Sequence, residues 1–336
     1  MNSDLHARRS MLVRLAALAA GTVVTNSARS QQSGDDGTAA PSDIPQTEKQ
    51  ETVTEEIPQP GMPTLGGMQF WGDLGYFRGY KIQRNVFSGH YRLLDANDRR
   101  YVSGSIQDCK DTLDKLKKVH GLKADTGHAV ICLHGIGRSS KSLRPIISAL
   151  PKDQFTAIGF EYPSTRVPLA QSAEFLHSVI ESLTDVGKIS FVVHSMGGLV
   201  VRAYLKEHRD PRLHRMVMMG TPNNGAELAS MLKTSFFYRT IYGPAGQELA
   251  TDPAGTISSL PVPDFEFGIV AGGKGDDFGY NRLLPGDNDG TVTVASAHLT
   301  GAADFLRVPK LHSFLMSDET VIAAVRNFLD HGQFPH

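Results

Sequence analysis

One serine in this chain lies where its hydroxyl could act as a nucleophile. Ser195 follows an apolar segment at 189–193 and precedes a helical pattern at 196–208. A sharp turn from strand to helix exposes a serine hydroxyl at the edge of a sheet, and the helix N-terminus favours negative charge beside it. Such a hydroxyl attacks a carbonyl carbon only when a base takes its proton, so the chemistry requires a histidine from elsewhere in the chain.

The elements around this serine alternate regularly. Continuous apolar runs, typical of strands buried on both faces, predict strands at 128–133, 155–160, 189–193, 216–219, 269–271 and 305–308. Amphipathic segments predict helices at 142–150, 168–183 and 196–208, and one more near the end of the chain. This alternation predicts an α/β fold with a mostly parallel sheet and helices on both faces.

The residues ahead of this alternation predict smaller elements within the same folded domain, 65–336. Order is expected to begin near Phe70, with strands at 80–85 and 90–95 joined by a turn. Ser105, with Asp108 three residues later, resembles a helix start, and that helix is expected to run to Gly121.

Five segments resemble motifs of one family. The sequence Val-His-Ser-Met-Gly at 193–197 resembles the G-x-S-x-G serine elbow, although Val193 stands in place of the first glycine. The segment 133–137 resembles the H-G-x loop of lipases, and 220–225 resembles a loop of lipase-like proteins. The Asn-Asp-Gly turn at 288–290 and the histidine segment 310–315 complete the set. Across about residues 128–330, the chain therefore resembles the α/β-hydrolase superfamily, and within it the bacterial lipases and esterases.

The resemblance implies a mechanism and its residues. Ser195, Asp289 and His312 would form a catalytic triad in the family's chain order, and the backbone N–H groups of Ile136 and Met196 would form the oxyanion hole. An imidazole with a pKa of about 6.5 can act as a base near neutral pH, and a carboxylate holds it in the required tautomer. We expect a serine hydrolase that cleaves carboxylic esters, of lipids or other acyl groups, through an acyl-enzyme. It would need no cofactor and no metal.

Spacing alone does not select the acid of the triad. Asp287 lies two residues before Asp289 in the same turn. The glycine after Asp289 permits a tight turn towards the histidine, whereas Asp287 follows Pro-Gly and is expected to brace the turn. Of the other histidines beyond this turn, His298 is too close in sequence, and His331 and His336 lie past the closing helix.

The same residues are compatible with functions other than ester hydrolysis. Acyl transfer, thioester cleavage and amide cleavage could use the same triad, and a serine before a helix can be a simple helix cap. A binding module without activity is a further alternative, which labelling with a fluorophosphonate would test. The kinase triplets at 208–210 and 277–279 are rejected, because Arg215 stands where the magnesium-binding asparagine would be required.

Residues 226–262 fit the strand–helix alternation least well. We expect them to form a small cap over the edge of the sheet. Their aromatic residues Phe236, Phe237 and Tyr238 are candidates for lining an acyl pocket. The alternative is that these three side chains pack in the core of the cap itself.

The N-terminal residues predict export. Arg8 and Arg9 precede a short apolar run at 15–24, which resembles a twin-arginine signal over residues 1–30; a basic tail without this role is the alternative. A periplasmic, secreted or cell-envelope location is the expectation. Residues 31–64 contain seven acids, one lysine and no aromatic residue, so we expect a disordered linker.

The composition argues against a nucleic-acid partner and against a metal site. A formal net charge of −1 gives no field that would attract nucleic acid, so the expected partner is a small-molecule or lipid ester, with transient contact to a lipid surface left open. No cluster of histidine and cysteine suggests a metal site. Cys109 and Cys132 could form a disulfide or remain buried thiols.

Overall fold

A computed structural model describes residues 58–61, 68–225 and 257–335. The strands are β1 Trp71–Phe77, β2 Tyr80–Asn85, β3 Tyr91–Leu94, β4 Arg100–Gly104, β5 Gly127–Leu133, β6 Phe155–Phe160, β7 Val186–His194, β8 Leu213–Met219, β9 Glu266–Gly272 and β10 Asp304–Val308. The helices are α1 Ile106–Val119, α2 Arg144–Ala149, α3 Leu169–Ser182, α4 Met196–Glu207, α5 Val294–Ala297 and α6 Glu319–His331. Short 3₁₀ turns occupy Met68–Phe70, Ser140–Leu143, Ile257–Ser259 and His312–Ser317.

Six of these strands form one parallel sheet in the order β6–β5–β7–β8–β9–β10. The chain enters at β5, moves outward to β6, and then returns past β5 to β7. This reversal lies between β5 and β7, and in open parallel sheets the crevice at such a reversal is where ligands bind. The structure confirms the predicted mostly parallel sheet, and the apolar runs at 128–133 and 189–193 lie in the neighbouring strands β5 and β7.

Helices cover both faces of this sheet, as predicted. On one face, α3 and α4 pack on side chains such as Ile131 and Val193. On the other face, α2 and α6 pack on side chains such as Val130 and Val192. Consecutive residues of a strand point to opposite faces, so a strand covered on both sides needs an unbroken apolar run.

Four strands form a second, antiparallel sheet in the order β1–β2–β3–β4, which we call the meander. The sequence predicted β2 and β3 but neither β1 nor β4. Helix α1 packs on the meander through Cys109, Leu113 and Leu116. It begins at a capping box in which Ser105 and Asp108 exchange hydrogen bonds, as their spacing predicted.

A buried polar cluster joins the meander to the main sheet. The Asp73 carboxylate accepts hydrogen bonds from the Gln83 amide (2.6 Å) and the Glu161 N–H (2.8 Å), and the Lys81 ammonium lies 3.4 Å away. Burial raises the pKa of Asp73, and the attraction of Lys81 opposes that rise. Because an unpaired buried carboxylate is costly, this cluster fixes where β1 lies against the segment that follows β6.

The two cysteines are free and buried, so the alternative of a disulfide is wrong. Burial raises the pKa of Cys109 to about 11 and that of Cys132 to about 12, so both are neutral thiols at pH 7. None of the described helices is long and apolar enough to cross a bilayer.

Several predictions concern residues that the structure leaves undescribed. The export signal at 1–30 lies outside the described residues. Most of the linker at 31–64 and of the cap at 226–262 does so as well. Within the predicted linker, Gly61 is described, and its N–H donates to the Arg100 carbonyl (2.8 Å).

Candidate active site

Ser195 occupies the turn between β7 and α4. Its backbone has φ +54° and ψ −124°, a combination that residues with a Cβ rarely adopt. The Ser195 N–H donates to the carbonyl of Met219 at the end of β8 (2.8 Å), which holds the turn at the carboxyl edge of the sheet. A Cβ on Gly197 would lie 2.7 Å from the Leu133 carbonyl oxygen, so only glycine lets α4 approach β5 this closely. Such local strain is frequent at functional sites.

Val193 stands where the family's serine elbow has its first glycine. It is the second-last residue of β7, fully buried, and paired with Leu133 on one side and Met218 on the other. The positive φ angle falls at Ser195 and not at Val193, so a β-branched residue fits this strand position. The departure from the motif therefore leaves the turn intact.

His312 and Asp289 form a buried hydrogen-bonded pair. The His312 Nδ1 lies 2.6 Å from the Asp289 Oδ2, and the His312 N–H donates to the Asp289 carbonyl oxygen (2.9 Å). The other carboxylate oxygen, Oδ1, accepts the N–H groups of Thr291 (2.9 Å) and Val292 (2.7 Å). With Nδ1 donating to Asp289, the neutral imidazole keeps its lone pair on Nε2, which can then accept a proton.

Asp287 has a different set of partners. Its carboxylate accepts the N–H groups of Lys274 (2.7 Å) and Gly275 (2.8 Å), and Arg307 lies 3.7 Å away. The structure thus places Asp289 against His312, and Asp287 against the loop after β9.

His194 lies between the serine turn and the His312 segment. Its Nε2–H donates to the His312 carbonyl oxygen (3.1 Å), and the two ring centroids are 4.6 Å apart. Burial, followed by the charge of a protonated His312, lowers the pKa of His194 well below its usual value, so its ring is neutral at pH 7. The hydrogen bonds of the described residues do not include one between the Ser195 hydroxyl and the His312 ring. Such bonds often form only when substrate is bound.

The loop after β5 presents the first predicted oxyanion donor. The Ile136 N–H makes no hydrogen bond within the described residues, and the Met196 N–H begins α4, where no intrahelical acceptor exists. His134 is fully buried; it donates from Nδ1 to the Gly135 carbonyl (2.8 Å) and stacks on Tyr162 at 4.3 Å. These contacts make His134 a residue that shapes the loop.

Comparison with known proteins agrees with this architecture. Residues 128–254 match the family model described as alpha/beta hydrolase fold. This chain has the α/β-hydrolase fold. The matched residues begin within β5 and include the serine turn, while Asp289 and His312 lie beyond them, on the part of the hydrolase fold that follows β9.

Solved lipases and esterases are similar to this hydrolase-fold chain at low sequence identity. The mature form of lipase BlEst2 from Bacillus licheniformis is 18% identical, with a TM-score of 0.46, and the match covers 61% of this chain and 92% of that chain. A malate-bound thermophilic esterase from Thermogutta terrifontis is 18% identical, with a TM-score of 0.42 and coverage of 62% and 91%. No curated protein matches the chain in sequence.

The third motif, at 220–225, has a structural role in this hydrolase fold. Arg202 of α4 is buried and donates to the Asn223 carbonyl (3.0 Å), the Leu260 carbonyl (2.8 Å) and the Pro261 carbonyl (3.0 Å). Burial lowers the pKa of Arg202 to about 10. No sequence pattern marks this arginine, because most of its acceptors are backbone carbonyls.

Replacing Arg202 by Met should lower the free energy of unfolding by about 3 kcal/mol, because buried carbonyl groups lose their charged donor. Urea denaturation measures this change. The matched control is Arg209→Met, since the Arg209 side chain is largely exposed and its substitution should cost less than about 1 kcal/mol. Equal denaturation midpoints for the two variants would contradict the role given to Arg202.

The predicted acyl-pocket residues Phe236, Phe237 and Tyr238 lie outside the described residues. The structure therefore describes the predicted triad and oxyanion residues but not these three.

Proposed function

We propose that this chain is a serine hydrolase that cleaves carboxylic esters through an acyl-enzyme on Ser195. The observation that carries the proposal is the 2.6 Å hydrogen bond between His312 and Asp289. It lies at the carboxyl edge of the sheet, where the strained turn holds Ser195. A histidine oriented by a buried carboxylate and adjoining a serine turn is the arrangement that activates a hydroxyl.

Acylation would begin when the Ser195 oxygen attacks the ester carbonyl carbon. A bond forms between this oxygen and the carbon as the hydroxyl proton moves to the Nε2 of His312. The imidazolium is stabilised by Asp289, and the negative oxygen is stabilised by the N–H groups of Ile136 and Met196. The carbon–oxygen bond to the alcohol then breaks, and the leaving alcohol takes the proton from His312.

Deacylation would repeat these steps with water in place of the serine. His312 takes a proton from water as the water oxygen attacks the acyl carbon. The bond from that carbon to Ser195 breaks, the serine recovers its proton from His312, and the carboxylic acid leaves. No net proton remains on the protein after the cycle.

An apolar acyl or alkyl group is favoured by the surface beside His312. Leu311 and Phe314 flank this histidine in sequence and remain exposed. Together with Tyr280 and Pro309 they line a hollow of about 390 Å³, whose lining also includes Ser317 and the ion-paired Lys310 and Asp318. Burying apolar substrate surface against such residues contributes about 25 cal/mol per Å². This supports lipid or other acyl esters as the substrate class.

The same residues would also support acyl transfer to an alcohol, or cleavage of a thioester or an amide. These reactions share the acyl-enzyme and differ in the group that leaves or the group that accepts the acyl chain. They therefore form the alternative activities for the same site.

A panel of p-nitrophenyl esters with increasing acyl length, run beside a lipid emulsion, tests the proposal. We expect hydrolysis, with kcat/KM rising by up to about fourfold per methylene while the acyl chain still finds apolar contacts. Thioester and amide analogues with one acyl chain rank the alternatives. An intact folded protein that cleaves no ester and reacts with no fluorophosphonate would show that the site is a binding module.

A further inference from the structure

Gln69 lies ahead of the meander and bonds to two loops far away in the sequence. Its Nε2 donates to the Arg138 carbonyl oxygen (2.8 Å). Its Oε1 accepts hydrogen bonds from the Ser164 hydroxyl (3.0 Å), the Thr165 N–H (3.1 Å) and the Thr165 hydroxyl (3.0 Å). With both ends of the amide engaged, one side chain joins the loop after β5 to the loop after β6.

Hydrogen bonds hold the loop on both sides of Ile136, and those on its C-terminal side lead to Gln69. On its C-terminal side, the Gly137 N–H donates to the Ser164 hydroxyl (3.0 Å), which itself donates to Gln69. On its N-terminal side, the Tyr162 hydroxyl donates to the His134 carbonyl oxygen. The peptide groups that surround the Ile136 N–H are therefore tied to fixed partners in both directions.

The loop needs these hydrogen bonds because its glycines allow its backbone many conformations. Ile136 stands between Gly135 and Gly137, and Gly137 has a positive φ of +68°. Glycine loses more conformational freedom on ordering than other residues, so this loop has little rigidity of its own. An oxyanion donor is effective only when it is already aimed at the position where the negative charge develops.

We propose that Gln69 is a positioning residue for the oxyanion hole. It aims the Ile136 N–H through Ser164, Gly137 and Arg138, and it touches neither the substrate nor the reacting atoms. The inference rests on the proposed ester hydrolysis at Ser195. Gln69 belongs to the segment that precedes the meander, and this segment lies outside the family match at 128–254. A residue outside the matched region would therefore contribute to the rate of the reaction.

Gln69→Met keeps the approximate volume and removes every polar contact of this side chain. We expect a fall in kcat of roughly 10- to 100-fold, somewhat less than the loss of an oxyanion donor outright, with KM within about twofold. The affinity for a boronic acid that mimics the tetrahedral intermediate should fall by the same factor as kcat. Ser164→Ala removes the hydroxyl that links Gln69 to the Gly137 N–H. It should likewise lower kcat while leaving KM nearly unchanged.

Ser182→Ala serves as the matched control. The Ser182 hydroxyl accepts the Tyr76 N–H (2.9 Å), so it helps to dock the meander at a point away from the loop of Ile136. This variant should lower the melting temperature while kcat and boronic acid affinity stay at the wild-type values. Gln69→Glu keeps the acceptor for Ser164 and Thr165 but loses the donor to Arg138, and it should retain more activity than Gln69→Met.

The outcomes separate this inference from the proposed function. A wild-type protein without esterase activity or fluorophosphonate reactivity overturns both. An active wild type whose Gln69→Met and Ser164→Ala variants keep kcat and boronic acid affinity overturns the positioning role alone. Equal kcat losses in Gln69→Met and Ser182→Ala would also overturn it, since docking of the meander would then be the cause. If Gln69→Met does not fold, Ser164→Ala decides.

Discussion

Asp289→Asn should lower kcat by roughly 10⁴-fold while KM changes little, the size of loss known for this change in a serine protease triad. The Oδ1 of Asp289 accepts two backbone N–H groups, so the oxygen of an asparagine must stay there and its NH₂ must face His312. Nδ1 of His312 then has to accept, which moves the ring proton to Nε2. In that tautomer the ring cannot take a proton from Ser195. Steady-state hydrolysis of a p-nitrophenyl ester measures the loss.

Asp287→Asn is the matched control. Each carboxylate oxygen of Asp287 accepts one backbone N–H, so an asparagine loses one of these two bonds. We expect a destabilisation of about 1–3 kcal/mol, measured by denaturation, and a kcat close to that of the wild type. A large kcat loss in Asp287→Asn together with a nearly active Asp289→Asn would show that the acid of the triad is assigned to the wrong residue.

Ser195→Ala should reduce ester hydrolysis by about 10⁶-fold and abolish labelling by a fluorophosphonate. Alanine retains the Cβ that makes φ +54° unfavourable, so only the hydroxyl is lost and the melting temperature should change by a few degrees at most. Activity and labelling are measured on the same folded preparation.

Ser313→Ala controls for a serine that is near His312 but not on the turn. Its hydroxyl accepts a hydrogen bond from Arg138 (2.8 Å). This variant should keep its labelling and its kcat within a fewfold of the wild type. If mass spectrometry instead maps the probe to Ser313, Ser139 or Ser140, the nucleophile is not Ser195.

The main sheet was predictable because burial on both faces leaves a simple signal in the sequence. Strands β5 and β7 are apolar at nearly every central position, and their predicted ends fall within three residues of the observed ones. The capping box at Ser105 was equally local, since the two residues that bond lie three apart. The helix predicted at 142–150 proved to be a 3₁₀ turn followed by the short α2, which has a proline in its first turn.

The meander was only half predictable. Strand β1 contains two glycines and the buried Asp73, which interrupt any alternation of apolar and polar residues. Strand β4 lies at the edge of its sheet, and its two apolar residues that pack on the cluster below, Tyr101 and Val102, are adjacent and therefore give no alternation. Strand β1 is also held by a partner far away in the sequence, the Glu161 backbone, and no local pattern encodes such a partner.

In the site, too, features set by neighbouring residues were predictable and features set by distant partners were not. The order of serine, acid and histidine and the Asn-Asp-Gly turn were visible in the sequence, and they singled out Asp289. Arg202, His194 and Gln69 were not singled out, because their partners are mostly backbone groups that lie 21 to 118 residues away. A polar residue that will be buried looks the same in sequence as one that will be solvated.

The hydrogen bonds of the Arg202 guanidinium indicate where the sequence of this protein could be changed without loss of the fold. It fixes Asn223 and Leu260 to one side chain, so the chain departs from the sheet and returns to it at two adjoining, anchored points. The cost of closing a loop between fixed ends grows only slowly with length, by about 0.6 kcal/mol per doubling. The span between those anchors is thus a place where sequence could be exchanged, shortened or lengthened without disturbing β7 and β9, the strands that precede Ser195 and Asp289.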